Sequence, residues 1–205
     1  MITIIGTSHI SPESIRTIKD TIENEKPDCV AVELDMNRYI SMKSGEMGRP
    51  PGLFLKIFSW LQKKLGKSTG IFPGQEMMTA IEFSRKNKIP VYLIDQDISV
   101  TARDLRRIPT LEKIKLILLT LFAFSGEKID LSKVPPEKVI KDAMKYMKKN
   151  FPKMYKVLVT KRNKYMASAV LELTKDHKNI LVVVGAGHVD GLKKLLKGRK
   201  VKTIS

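Results

Sequence analysis

Two apolar runs in this sequence end in the same way. Ile2-Thr3-Ile4-Ile5 leads into Gly6-Thr7-Ser8-His9, and Leu181-Val182-Val183-Val184 leads into Gly185-Ala186-Gly187-His188, so each glycine is followed three positions later by a histidine. Two of the three histidines stand in this setting; the third, His177, lies in the polar run Lys175-Asp176-His177-Lys178 and reads as a surface residue. Glycine permits a sharp turn at a strand end, and the carboxyl ends of parallel strands are where open α/β sheets bind ligands. Two imidazoles placed there could share a divalent metal ion, with a carboxylate as third ligand and an open position for water. A histidine after a strand can also simply cap a helix, but repetition of the turn at opposite ends of the chain favours the site. The reading requires the two strands to be parallel neighbours, because adjacent strands lie ~4.8 Å apart and an imidazole reaches little further.

Two carboxylates are placed to join them. Glu33 interrupts the apolar run Val30-Ala31-Val32-Glu33-Leu34-Asp35. An unpaired buried carboxylate is costly, so Glu33 needs a metal, a histidine or an arginine. Arg38, five residues on, could provide a purely structural pair instead. Asp95 closes Val91-Tyr92-Leu93-Ile94 in the same manner. It could be a ligand, a carboxylate that orients a histidine, or a helix cap.

Positioning these groups requires a layered scaffold. The apolar, β-branched runs at 2–5, 29–34, 90–94 and 180–184, with a shorter one at 201–204, read as buried parallel strands. Ser11-Pro12-Glu13 is a helix start; Ile15, Ile18 and Ile22 follow at helical spacing, and Lys26-Pro27-Asp28 stops the helix, which makes a compact β-α-β unit. Further helices are expected from 74 to 87 and from 160 to about 174. The alternation predicts an α/β fold, a mostly parallel β-sheet flanked by helices, as one domain over 1–205. Two helical insertions, at about 44–74 and 109–151, are expected to act as lids. Within the first, the segment 53–67 carries Phe54, Phe58, Trp60 and Leu61 among Lys56, Lys63, Lys64 and Lys67. That pattern suits a helix packed on its own core or across a homo-oligomer interface, and also peripheral contact with a membrane surface.

Composition narrows the class. With 205 residues, 42% hydrophobic and 29% charged, the chain is globular rather than disordered or collagenous. The charge balance is 38 − 21 = +17, which attracts anions in general. Because lysine outnumbers arginine, the excess reads as a solvating coat, and nucleic acid is not the expected partner. The single cysteine, Cys29, excludes an internal disulfide and fits a reducing cytoplasm. The start lacks secretory-signal features, and no apolar run approaches the ~20 residues of a membrane span. The expectation is a cytoplasmic protein.

The stretch Ile5-Gly6-Thr7-Ser8-His9-Ile10-Ser11-Pro12-Glu13-Ser14, with Pro27-Asp28-Cys29-Val30-Ala31-Val32-Glu33-Leu34-Asp35, closely resembles the TraB/PrgY pheromone-shutdown family. Further matches are Pro73-Gly74-Gln75-Glu76-Met77, Leu93-Ile94-Asp95-Gln96-Asp97-Ile98 with Thr101 and Arg103, Arg162 with Tyr165-Met166-Ala167, and Val183-Val184-Gly185-Ala186-Gly187-His188-Val189. They span almost the whole chain in order. The wider superfamily joins TraB, GumN, erythromycin-esterase, ChaN and Tiki groups, which share two Gly-x-x-His motifs and a glutamate. The resemblance implies metal-ligand roles for His9 and His188, and a ligand or general-base role for Glu33. It implies pocket positions for Arg38, Glu76, Arg103 and Arg162. Many relatives carry Asp-Arg-Asp where this chain has Asp95-Gln96-Asp97, and an acidic-Arg-Asp run where it has Lys161-Arg162-Asn163, which removes charge from the pocket.

The leading functional expectation is therefore a metal-dependent hydrolase, most plausibly a peptidase acting on small or signalling peptides. Its competitor is a non-catalytic protein that holds a peptide or small anion in the same crevice and sequesters it.

Overall fold

The computed structural model describes residues 1–7, 12–45, 74–116 and 137–204. Five parallel strands form one sheet: β1 (Ile2–Thr7), β2 (Cys29–Val32), β3 (Val91–Leu93), β4 (Ile180–Gly185) and β5 (Val201–Ile204), in the order β3-β2-β4-β1-β5. The fold is α/β, as the alternation of apolar runs and helical spacings predicts. β1 and β4 extend past the hydrophobic runs that mark them, to Thr7 and Gly185, whereas β2 and β3 are shorter than theirs. The run at 29–34 is strand only to Val32, although the Glu33 amide still donates to the Val183 carbonyl, and Asp35 caps the helix α2 (Met36–Ser44) by accepting from the Asn37 and Arg38 amides.

Both faces of the sheet are covered, which is why its strands read as continuous apolar stretches. On one face the helices α1 (Pro12–Glu25) and α3 (Gln75–Lys86) bury Ile18, Ile22, Met77, Ala80 and Ile81 against Ile5, Val30, Val32, Leu181 and Val183. On the other face α7 (Arg162–Leu173) and α8 (Ala186–Leu195) bury Met166, Ala167, Val170 and Leu192 against Ile4, Ala31, Val182 and Val184. Each of the larger side chains (Val, Leu, Ile, Met) contributes about 1.5–3 kcal/mol through removal from water. Between the two halves come α4 (Ile98–Arg106), α5 (Glu137–Asn150), the short α6 (Pro152–Tyr155) and a π-helical turn at Lys156–Lys161 that runs directly into α7. The helix expected from residue 160 thus begins as a wide turn and becomes regular only at Arg162.

The central strand decides where a ligand can enter. β4 lies between β1 and β2 and pairs with both, Thr7 opposite Gly185 and Val32 opposite Val183. The helix after β4 packs on one face, while those after β1 and β2 pack on the other. Neighbouring chain paths that part in this way leave a crevice at the carboxyl ends of the strands. The requirement that the strands ending at Gly6 and Gly185 be parallel neighbours is met. The segments 46–73, with the amphipathic stretch 53–67, and 117–136 lie outside the described residues, so the two expected lids are represented here only by their flanks.

Small contacts fix the strand ends. Asp28 accepts from the Lys178 and Asn179 amides at 2.7 and 2.8 Å, which joins the entry of β2 to that of β4. Glu25, at the end of α1, accepts from the Thr3 hydroxyl (2.7 Å) and from Lys202 Nζ (2.6 Å), tying α1 to β1 and β5. Burial alone would raise the Glu25 carboxyl, but these donors outweigh it and hold it below its ordinary value near 4.5. A carboxyl held low stabilises the fold above its ordinary titration range and loses that contribution as pH falls below it. Lys202→Met is therefore expected to move the Glu25 midpoint upward in an NMR pH titration, with little change at the exposed carboxylates.

Gly6 is needed for close approach of β1 and α8. A Cβ there would lie 2.8 Å from Val189 Cγ2 and 3.3 Å from the Ala186 Cα. Val189 is β-branched and stiff in a helix. Gly6→Ala is expected to cost about 1–3 kcal/mol in urea unfolding, and Val189→Ala in the same chain should recover part of it.

Candidate functional site

At the carboxyl end of the sheet, side chains from four separated parts of the sequence converge on one guanidinium. Arg162, at the first position of α7, donates from Nε to Asp95 Oδ1 (3.0 Å) and from Nη2 to Asp95 Oδ2 (2.7 Å). The same Nη2 pairs with Glu33 Oε1, and Nη1 reaches the Leu158 carbonyl (3.2 Å) inside the π-helical turn. Glu33 Oε2 in turn accepts from the Gly185 amide at 2.7 Å. Arg38 donates from Nε to Asp35 and from Nη2 to Asp95 Oδ2. Glu33, Asp35 and Asp95 are each about 5% exposed or less. Among the described residues, three carboxylates and two guanidiniums thus form one continuous network.

Burial by itself would lower the affinity of Arg162 for its proton. The charges of Glu33 and Asp95 override that effect and raise it above its ordinary value, so the side chain stays cationic.

His188 completes the arrangement. It lies in the first turn of α8, 7% exposed. Its Nδ1 lies 2.6 Å from Asn163 Oδ1. An amide oxygen can only accept, so Nδ1 carries the hydrogen and, in the neutral ring, Nε2 holds the lone pair. That nitrogen lies 3.2 Å from Glu33 Oε1 and 3.3 Å from Arg162 Nη1. Asn163 can occupy its place because position 191 is glycine: a Cβ there would fall 2.0 Å from Asn163 Nδ2. The wide turn at Lys156–Lys161 delivers Arg162 and Asn163, consecutive in sequence, to opposite sides of the same imidazole. Such turns frequently occur at functional sites.

The structure brings Glu33, Arg38, Asp95, Arg162 and His188 together, as the sequence reading expects. Glu33 does contact a histidine and an arginine, but its arginine is Arg162; Arg38 reaches only the Glu33 backbone carbonyl, at 3.4 Å. Glu76 is buried in the first turn of α3, 1% exposed, and contributes none of the bonds named above. Arg103 does not join the cluster: it is exposed on α4, where its charge acts on Asp104. His9 lies outside the described residues. Among the described residues no group of three or more His, Cys, Asp and Glu side chains is arranged to hold a metal ion. His177 is a surface residue paired with the Tyr92 hydroxyl at 3.0 Å. Cys29 is fully buried, and burial pushes its thiol up to about 12, so it is an inert core residue.

Two members of the site are not among the candidates chosen from sequence. Asp35 is legible in retrospect as the capping residue of a helix that also faces inward. Asn163 has no local signal, since its role depends on meeting His188 from another helix.

A doubly wound parallel sheet with a carboxylate–arginine–histidine centre at its carboxyl edge defines the class. The model of the TraB/PrgY/gumN family matches residues 1–203, and the chain belongs to that family. It is 38% identical over 210 residues, covering 95% of this chain, to an uncharacterized protein of Methanocaldococcus jannaschii. It is 25% identical over 232 residues, 93% of this chain, to the TraB domain-containing proteins of Bos taurus and Homo sapiens. The chain spans 53% of the length of the first relative and 61% of the other two.

Removing the central cation should be costly, because Glu33 loses its guanidinium partner and Asp95 keeps only Arg38. Arg162→Met is expected to lose about 3–5 kcal/mol in urea unfolding at neutral pH. Arg162→Lys should recover only part of this, since a single ammonium cannot reproduce the two-pronged contact with Asp95 while also reaching Glu33.

Proposed function

We propose that the chain is a hydrolase of small, peptide-like substrates whose reaction centre is the pair formed by Glu33 and His188. The observation that carries this reading is the 3.2 Å approach of His188 Nε2 to Glu33 Oε1, with Nδ1 bonded to Asn163. A neutral imidazole whose outer nitrogen is fixed by a hydrogen bond presents a lone pair in a set direction, and the neighbouring carboxylate stabilises any positive charge the ring acquires. His188 would take a proton from an attacking water. Glu33 would hold the resulting imidazolium. The guanidinium of Arg162 would face the negative charge that develops on a substrate carbonyl oxygen.

The donor chemistry also fits a divalent metal ion. An imidazole nitrogen oriented through its other N–H, beside a carboxylate, is the usual ligand pair, so Glu33 and His188 would hold the ion and His9 would be the third donor. When bound, such an ion lowers the pKa of a coordinated water and polarises a carbonyl. Arg162 and Asp95 would then keep Glu33 in place.

The second reading is sequestration without turnover. It is favoured by the position of Arg162 Nη1, 3.3 Å from His188 Nε2, which borders the site with a fixed cation and suits an anionic group.

A quenched-peptide library assayed with chelator, and with zinc or manganese added back, separates these readings. Hydrolysis is expected, and His188→Ala and Glu33→Gln should each slow it by about 10²–10⁴-fold, while His177→Ala leaves it unchanged. Urea unfolding of each variant checks that the fold persists. Loss of activity with chelator and its return with metal would place the ion in the reaction. A folded wild type that binds library peptides yet cleaves none, with or without metal, would overturn hydrolysis in favour of sequestration.

A further inference from the structure

The surface beside the reaction centre carries a second feature. Between α5 and the start of α8 lies a cavity of about 810 Å³, within the range of ligand-sized pockets. Among the described residues its charged lining is five lysines, Lys141, Lys145, Lys148, Lys164 and Lys194, and one acid, Asp190, with Asp142 of α5 4.0 Å from Lys145. Lys141, Lys145 and Lys148 follow at i, i+4 and i+7, so they stand on one face of α5, over about 10 Å of helix. Lys164 and Lys194 come from α7 and α8. Like charges drawn together around a concave surface repel one another, and an anionic guest would relieve that repulsion.

The cavity wall is not uniformly polar. Ile140, Met144 and Leu195 add apolar surface. On the α8 side Ala186, Gly187 and Gly191 leave the helix nearly bare: a Cβ at Gly187 would come 3.0 Å from Met144 Cε, and one at Gly191 would strike Asn163. Each glycine inside a helix costs ~1 kcal/mol relative to alanine, so this face trades helix stability for close approach. Asn163 belongs both to the cavity wall and to the reaction centre, where it holds His188.

We propose that this cleft docks a short acidic peptide segment, with carboxylates on the lysines and apolar side chains on Ile140, Met144 and Leu195. A nucleic acid fits less well: the cations are all lysine, without the guanidiniums that bind phosphate bidentately, and the apolar wall would face a sugar–phosphate backbone. The docking itself stands whether or not the chain hydrolyses peptides; its role as a substrate subsite rests on the hydrolase reading above.

The test is fluorescence anisotropy at low ionic strength on the full chain carrying His188→Ala, which removes turnover. The probe is fluorescein-labelled tetraglutamate, with tetraglutamine and a four-nucleotide oligothymidylate as comparators. Tetraglutamate is expected to bind more tightly than either. Combining Lys148→Glu, Lys164→Glu and Lys194→Glu should weaken it by about tenfold or more. Combining Lys19→Glu, Lys86→Glu and Lys200→Glu, which changes net charge equally on exposed positions elsewhere, should weaken it by about twofold. The corresponding triple change to Gln in the cleft should give an intermediate loss if the charge reversal unfolds the protein. Equal losses in the two Glu variants would overturn the cleft in favour of the general positive field. Oligothymidylate binding more tightly than tetraglutamate, with the same sensitivity to the cleft lysines, would overturn the peptide assignment.

Discussion

The guanidinium of Arg162 is the constraint on which the rest of this edge of the molecule depends. Glu33, at the end of β2, and Asp95, just beyond β3, are both about 95% removed from solvent. Two carboxylates at such depth would repel each other and lack water to stabilise them. One delocalised cation with several N–H donors in a plane can satisfy both. Once Arg162 is committed to them, the helix that carries it must begin at the carboxyl edge of the sheet before it packs on the face. That placement brings Asn163 to His188 Nδ1 and leaves His188 Nε2 beside Glu33. Stability and candidate chemistry are thus held by the same bonds.

The π-helical turn at Lys156–Lys161 serves this arrangement. A regular helix places consecutive residues about 100° apart, which separates their side chains around the axis. Widening the preceding turn changes how the helix enters the site, and the Leu158 carbonyl inside that turn is taken up by Arg162 itself. The irregular backbone is therefore capped by the residue it positions. Lys161, at the last position of the turn, is held by Asp104 of α4 at 2.5 Å, which anchors the segment from outside.

Two neutral side chains beside the charged cluster, Asn163 and Gln96, have physical roles there. The Asn163 amide oxygen accepts the Nδ1 hydrogen of His188 and so fixes the orientation of the imidazole without adding a second negative charge. Gln96 donates to the Thr101 hydroxyl at 3.2 Å and adds no charge to the network. Among the described residues the cations that the cluster's bonds reach are Arg38 and Arg162.

The sequence by itself determined the class of fold and most of the candidate residues. Continuous β-branched runs can be buried only in a sheet covered on both faces, and Glu33 and Asp95, stranded at the ends of such runs, had to meet cations. The two glycine turns marked parallel neighbouring strands because only such strands bring their ends together. Only the tertiary structure decided which cation met which acid. Arg38 was the nearer choice along the chain, yet Arg162, separated from Glu33 by well over half the sequence, makes the side-chain pair. The burial of Glu76, the exposure of Arg103 and the role of Asn163 were also settled by packing, since each depends on the angle at which one helix crosses another. Local spacing encodes which face of an element is apolar; it does not encode the distance between side chains on elements that meet only after the chain has folded.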